Sequence, residues 1–133
     1  MQIPAALPVH QHGKQMHKFI KFWVPVLLFM GFIFYASSIP GSKIPSVFPY
    51  QDIVYHTIIY LILAYFFSRA LKNTYVKISL VSVITIAFIF GIFYGITDEF
   101  HQSFVSGRTV SAVDVFYDGA GSFLGGLIWR LLI

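Results

Sequence analysis

An all-α membrane protein, built as a bundle of four transmembrane helices with both termini cytoplasmic, is the fold class this sequence predicts. Three observations carry the prediction. The 133 residues are 57% hydrophobic and only 11% charged, too oily for a soluble domain of this size. Long apolar runs recur along the chain, separated by polar or proline-punctuated segments. Seven of the nine lysines and arginines fall on one side of those runs, and none of the five acids does, which is the asymmetry of a chain oriented by its positive charges.

The first run, FIKFWVPVLLFMGFIFYASS from Phe19, is interrupted only by Lys21, whose stem reaches the interface. Pro25 inside it predicts a bend, or absorption into the first turns. Before it, residues 1–18 read as a cytoplasmic tail, since Pro4, Pro8 and Gly13 argue against a long helix. Residues 19–133 then form the transmembrane domain. His10, His12 and His17 in the tail have no acid or cysteine beside them and suit an unstructured end better than a metal site. SSIPGSKIPSVFPY, from Ser37, is the loop into helix two.

Helix two starts at about Asp52, and helix three runs from Val76 for 22 residues, about 33 Å. The last helix, from about Val110 to the end, is the least apolar at its start. Asp114 and Asp118 must face protein or water there, because a carboxylate in lipid costs several kcal/mol. Lys14, Lys18, Lys21, Arg69, Lys72, Lys77 and Arg130 lie inside, and Lys43 and Arg108 outside. Asp52, Asp98, Glu99, Asp114 and Asp118 therefore converge from three helix ends on the outer face. With no cysteine, the chain has no disulfide, thiolate or iron–sulfur chemistry. Its net charge of +4 is not organised into any nucleic-acid module, so nucleic acid is not a partner.

Asp52 and His56 are one turn apart on helix two, with Asp52 placed to cap that helix. On helix three Ala87, Gly91, Gly95 and Glu99 form a small-residue stripe topped by a carboxylate. Asp114, Asp118, Gly121 and Gly125 form a second stripe on helix four, and packing the two together brings Glu99 to Asp114 and Asp118. Asp118 lies about 10 Å below the helix start and needs a partner, a proton or water. Arg108, after the permissive Gly107, is the fixed positive charge that can fold over the acids. His101 and Gln102, one turn beyond Asp98, close the rim.

DEFHQSFVSGRTVSAVDVFYDGAG, residues 98–121, together with Ser37-Ser38, Pro40 and the Asp52/His56 pair, resembles the VanZ-like membrane proteins, a family named for a protein associated with teicoplanin resistance. The likeness covers about residues 20 to 130, with departures at Ile53, Ser106 and Asp118, where lysine, proline and asparagine are usual. It implies a multi-span protein of the cell membrane and envelope.

Three functions fit these residues. The first is an outward-facing cleft that recognises an amphiphilic envelope lipid or a glycolipopeptide antibiotic. In it Asp52, Asp98, His101, Gln102, Arg108 and Asp114 would bind the head group, and Phe93, Tyr94, Phe116 and Tyr117 would cover the apolar part. The second is a hydrolase or transferase acting on such a lipid, with His56, Glu99 and Asp118 as catalytic candidates and Ser37 or water as nucleophile. No cofactor is certain, but the acids and histidine are ligands that a divalent metal would accept. The third is a structural subunit of a homo-oligomer or larger membrane assembly, or a small proton-coupled transporter.

Overall fold

The computed structural model describes residues 9–133, with side chains described from Gly13 onward. Four α-helices follow one another: α1 Val9–Ser37, α2 Gln51–Thr74, α3 Leu80–Gln102 and α4 Ala112–Leu131, with a 3-10 turn at Gly41–Lys43 in the first loop. The stretches Gly13–Ser37, Gln51–Thr74 and Leu80–Gln102 are long and apolar enough to cross a membrane. The protein is therefore a multi-pass, all-α membrane protein. Its outward surface, including Leu27, Leu28, Phe32, Val81 and Phe93, is apolar as lipid requires.

Three boundaries differ from the sequence expectation. Residues 1–8 of the expected tail lie outside the described residues, and so do the side chains of His10 and His12. From Val9 the chain is already helical through Gly13. One glycine costs about 1 kcal/mol in a helix, too little to stop propagation from the apolar segment that follows. Helix α3 begins at Leu80 rather than Val76, because Ser79 caps it by accepting from the Ser82 amide at 3.0 Å. Lys72 Nζ ties the preceding turn by donating to the carbonyls of Val76 and Ile78, each at 2.7 Å. Asp52 lies in the first turn of α2 and does not cap it. Gln51 organises that end instead: its side-chain oxygen accepts from Val47 N at 2.7 Å, and its amide donates to Pro45 O at 2.9 Å.

Helix α4 is enclosed by α2 on one side and α3 on the other. A Cβ placed on Gly121 or Gly125 would run into the carbonyl of Thr57 or Leu61, so these two glycines let α4 lie against the α2 backbone, running parallel to it. The expected meeting of two glycine stripes is thereby corrected. Gly91 and Gly95 of α3 do face α4, but opposite Ser122 and Asp118, whereas Gly121 and Gly125 of α4 serve α2. Further down, Leu63, Ala64, Val83, Ala87 and Trp129 fill the centre, and Phe67 stacks on Phe90 at 4.1 Å between ring centroids. Helix α1 is held by Trp23 Nε1 donating to Thr74 Oγ1 at 2.8 Å near one end, and by Tyr94 OH donating to Met30 O at 2.7 Å. The N-terminal ends of α2 and α4 and the C-terminal ends of α1 and α3 thus meet at one end of the bundle.

Candidate functional site

That end carries all five acids. Asp118 is fully buried, and Gly95 opposite it leaves the space its carboxylate occupies. From α2, His56 reaches across so that its Nδ1–H donates to Asp118 Oδ1 at 2.8 Å. This bond fixes the ring and leaves Nε2 facing Asp114 Oδ2 at 3.9 Å, beyond hydrogen-bond distance. Tyr60, one turn deeper on α2, lies parallel to the imidazole at 6.4 Å between centroids and walls it from below. Glu99, only 3% exposed, accepts from the Ser111 amide through Oε2 at 2.7 Å, while its Oε1 has no hydrogen-bond partner. His56, Glu99 and Asp114 each present a donor atom, and these atoms lie within 4.8 Å of one another, a plausible metal-binding cluster.

Beside this cluster runs a relay at the rim. Arg108 Nε donates to Gln102 Oε1 at 3.0 Å, and Gln102 Nε2 donates to Asp98 Oδ2 at 2.9 Å. Arg108, expected to fold over the acids, reaches Asp98 only through the neutral Gln102 amide. Among the described residues, no acid pairs with the guanidinium. His101 takes a different place from the acids: its Nε2 meets Ser38 Oγ at 2.9 Å and its ring lies 4.3 Å from that of Phe34. Since Ser38 Oγ donates to Phe34 O at 2.7 Å, the histidine is the donor in the pair. The link ties α3 to the end of α1. Ser37, the candidate nucleophile, is buried and donates to Phe34 O at 3.0 Å.

The rim itself is stitched. Gly41 N donates to Ser106 O at 3.0 Å, joining the first loop to the third, and any side chain on Gly41 would strike the Gly107 carbonyl. Gly107 has a φ of 74°, a left-handed conformation that glycine adopts without strain. Under this rim lies a polar cavity of about 180 Å³, lined by Gln51, Asp52, His56, Gln102, Arg108 and Asp114 among others. An apolar cavity of about 210 Å³ adjoins it, walled by Ile33, Ala36, Tyr55, Ile59 and Tyr60. The two share Ile44, Asp52, His56, Gln102 and Arg108.

Sequence spacing anticipated the convergence of His56, Glu99, Asp114 and Asp118. It does not disclose Gln51, Tyr60, the bond between Ser38 and His101, or the contact between Gly41 and Gly107. The i, i+4 relation of Tyr60 to His56 was a usable signal; the others depend on loop folding. Of the expected aromatic cover, Tyr94 packs against Tyr60, whereas Phe93 and Phe116 are exposed, and Phe116 lines a separate groove between α3 and α4.

Comparison with curated proteins and with solved structures gives no significant match. A family model described as VanZ/LLP1 does match, over residues 22–133, and so takes in the second half of α1, all of α2, α3 and α4, and the whole polar cluster. The chain belongs to the VanZ/LLP1 family.

Proposed function

We propose that the cleft opens on the outer face of the cell membrane and recognises an envelope amphiphile with a small anionic head group. The observation that carries this reading is the junction of a polar and an apolar cavity across one set of residues, Ile44, Asp52, His56, Gln102 and Arg108. A head group would lie under the rim and a chain between α1 and α2. Arg108 is the lysine or arginine that lines both cavities, so it supplies the fixed charge for an anion. Size selects within the class. At about 180 Å³ the polar cavity is below the roughly 300–1,000 Å³ of pockets that enclose drug-sized ligands. That volume favours a lipid head group over a whole glycolipopeptide.

Orientation belongs to the same proposal. Helix α4 serves as a fourth span whose acids face α2 and α3, and the basic residues at the opposite end hold both termini inside. Cysteines introduced at Lys43 and Ser106 should react with an impermeant reagent from outside, and those at Lys14 and Asn73 only after permeabilisation. The opposite pattern would place the cleft in the cytoplasm.

Native mass spectrometry of the protein incubated with an envelope-lipid extract tests the ligand. Retained lipid in the wild type, lost in Arg108→Gln, supports recognition; equal retention in both refutes it. A second reading, hydrolysis or transfer on the bound lipid, is favoured by the pairing of half-buried His56 with buried Asp118 beside the partnerless Glu99 Oε1. There the base would be His56 or Glu99 and the nucleophile water, since the Ser37 hydroxyl is turned to Phe34. Product that accumulates with wild type and not with Glu99→Gln, while lipid is still retained, distinguishes the enzyme from the binding protein.

A further inference from the structure

We propose that His56, Glu99 and Asp114 bind one divalent transition-metal ion of the zinc class, with Asp118 as the outer partner that orients His56. Three features of the geometry lead there. The first is the set of donors. One imidazole nitrogen and two carboxylates, all within 4.8 Å of one another, come from three different helices. A tetrahedral zinc with bonds of about 2.0–2.1 Å needs ligand atoms roughly 3.4 Å apart. The 3.9 Å between His56 Nε2 and Asp114 Oδ2 is close to that already. Rotation of the carboxylates closes the rest.

The second is the tautomer. Metal-bound histidines generally donate their other ring N–H to a carboxylate, which sets the ring and raises its basicity. His56 does so to Asp118 at 2.8 Å, leaving Nε2, 3.9 Å from Asp114 Oδ2, free to bind an ion. The third is Glu99, which is 3% exposed yet leaves Oε1 without any hydrogen-bond partner. A buried carboxylate oxygen left in this way costs roughly 1–3 kcal/mol or more unless something positive meets it. Arg108 does not, being engaged with Gln102.

Mixed nitrogen and oxygen donors select zinc or manganese over magnesium or calcium, which prefer oxygen alone. Two carboxylates with a neutral histidine cancel the double charge of the ion, so a neutral unit is held at membrane depth. Three protein ligands leave coordination positions open, as in sites that bind water or substrate rather than purely structural ones. Because His56 and Asp114 line the polar cavity, those positions are accessible from it. The proposal stands independently of the lipid reading.

Full-length protein, stripped with EDTA and reconstituted in nanodiscs, is dialysed against buffered free Zn²⁺, and bound metal is counted by elemental mass spectrometry. Wild type should take up about one zinc per chain, and Co²⁺ in its place should give the visible absorption of a four- or five-coordinate site. Glu99→Gln and Asp114→Asn should each abolish loading at the concentration that saturates wild type. Asp118→Asn should weaken it by about 10–100-fold, as loss of an outer partner does. Asp114→Asn is the variant most certain to fold, because the helix cap is supplied by Ser111. A variant with His10, His12 and His17 all changed to alanine should load like wild type. No zinc in wild type at micromolar free ion overturns the proposal. So does zinc that survives Glu99→Gln and Asp114→Asn, or that is lost with the three N-terminal histidines.

Discussion

Replacing Gly95 by alanine tests whether helix packing positions the site. A Cβ at this position would meet the Asp118 carboxylate oxygen and lie 3.1 Å from both its Cβ and its Cγ. Carbon atoms prefer about 3.5–4.0 Å, so Asp118 or α4 must retreat by roughly 0.5 Å. Overpacking of this kind costs about 1–3 kcal/mol. Against it stands the helix propensity of alanine over glycine, about 1 kcal/mol. Gly31 is the matched control, since an added Cβ there meets nothing within 4 Å. Gly31→Ala should therefore be neutral or stabilising, and Gly95→Ala should fall below it by about 1–3 kcal/mol. Equilibrium unfolding in mixed SDS micelles, followed by far-UV circular dichroism, measures the difference. The imidazole resonances of His56 should also shift in Gly95→Ala and not in Gly31→Ala. If the two variants have equal stability and unchanged His56 signals, Asp118 does not lie against Gly95 and the site geometry is wrong.

Two further outcomes follow from the same geometry. His56→Leu should destabilise by about 3–5 kcal/mol because it strands the buried Asp118, whereas His56→Leu combined with Asp118→Leu should recover much of that loss; SDS unfolding in EDTA completes the double-mutant cycle. Gly107→Ala, which forces a side chain into the left-handed region at a φ of 74°, should cost about 1–2 kcal/mol and speed protease cleavage between residues 103 and 111, read by mass spectrometry of the fragments.

What the sequence disclosed here, and what it hid, follow from one property of membranes. The apolar runs of α1, α2 and α3 and the shared end of the acids are legible because lipid penalises charge, so charge position is forced. Spacing of four alone puts His56 beneath Asp52, and Glu99 above Gly95. Which face of a helix meets which neighbour is another matter. In water the apolar stripe marks the core, but here lipid and protein interior are equally apolar, and the stripe carries little direction. Spacing accordingly pairs Gly121 and Gly125 with α3, whereas they serve α2, and suggests Phe116 over the cleft, whereas it faces outward. Loop chemistry is also weakly encoded. Nothing in the spacing reveals that Gln51 would organise the start of α2 in place of Asp52, or that Gly41 would pair with Ser106.

The hydrogen bond between Gly41 and Ser106 has a kinetic consequence for any amphiphile that uses this cleft. It ties the first loop to the third beside the polar cavity, where Gly41 and Gly107 lie in contact, so widening the mouth at that point must break a backbone bond. The apolar cavity reaches the bundle surface at Tyr55, between α1 and α2, where no such bridge intervenes. An amphiphile of the proposed kind that enters there would pass sideways within the leaflet. Occupancy on that path follows the mole fraction of the amphiphile in the surrounding lipid rather than its aqueous concentration. Diluting it with inert lipid would empty the site, while adding buffer would not.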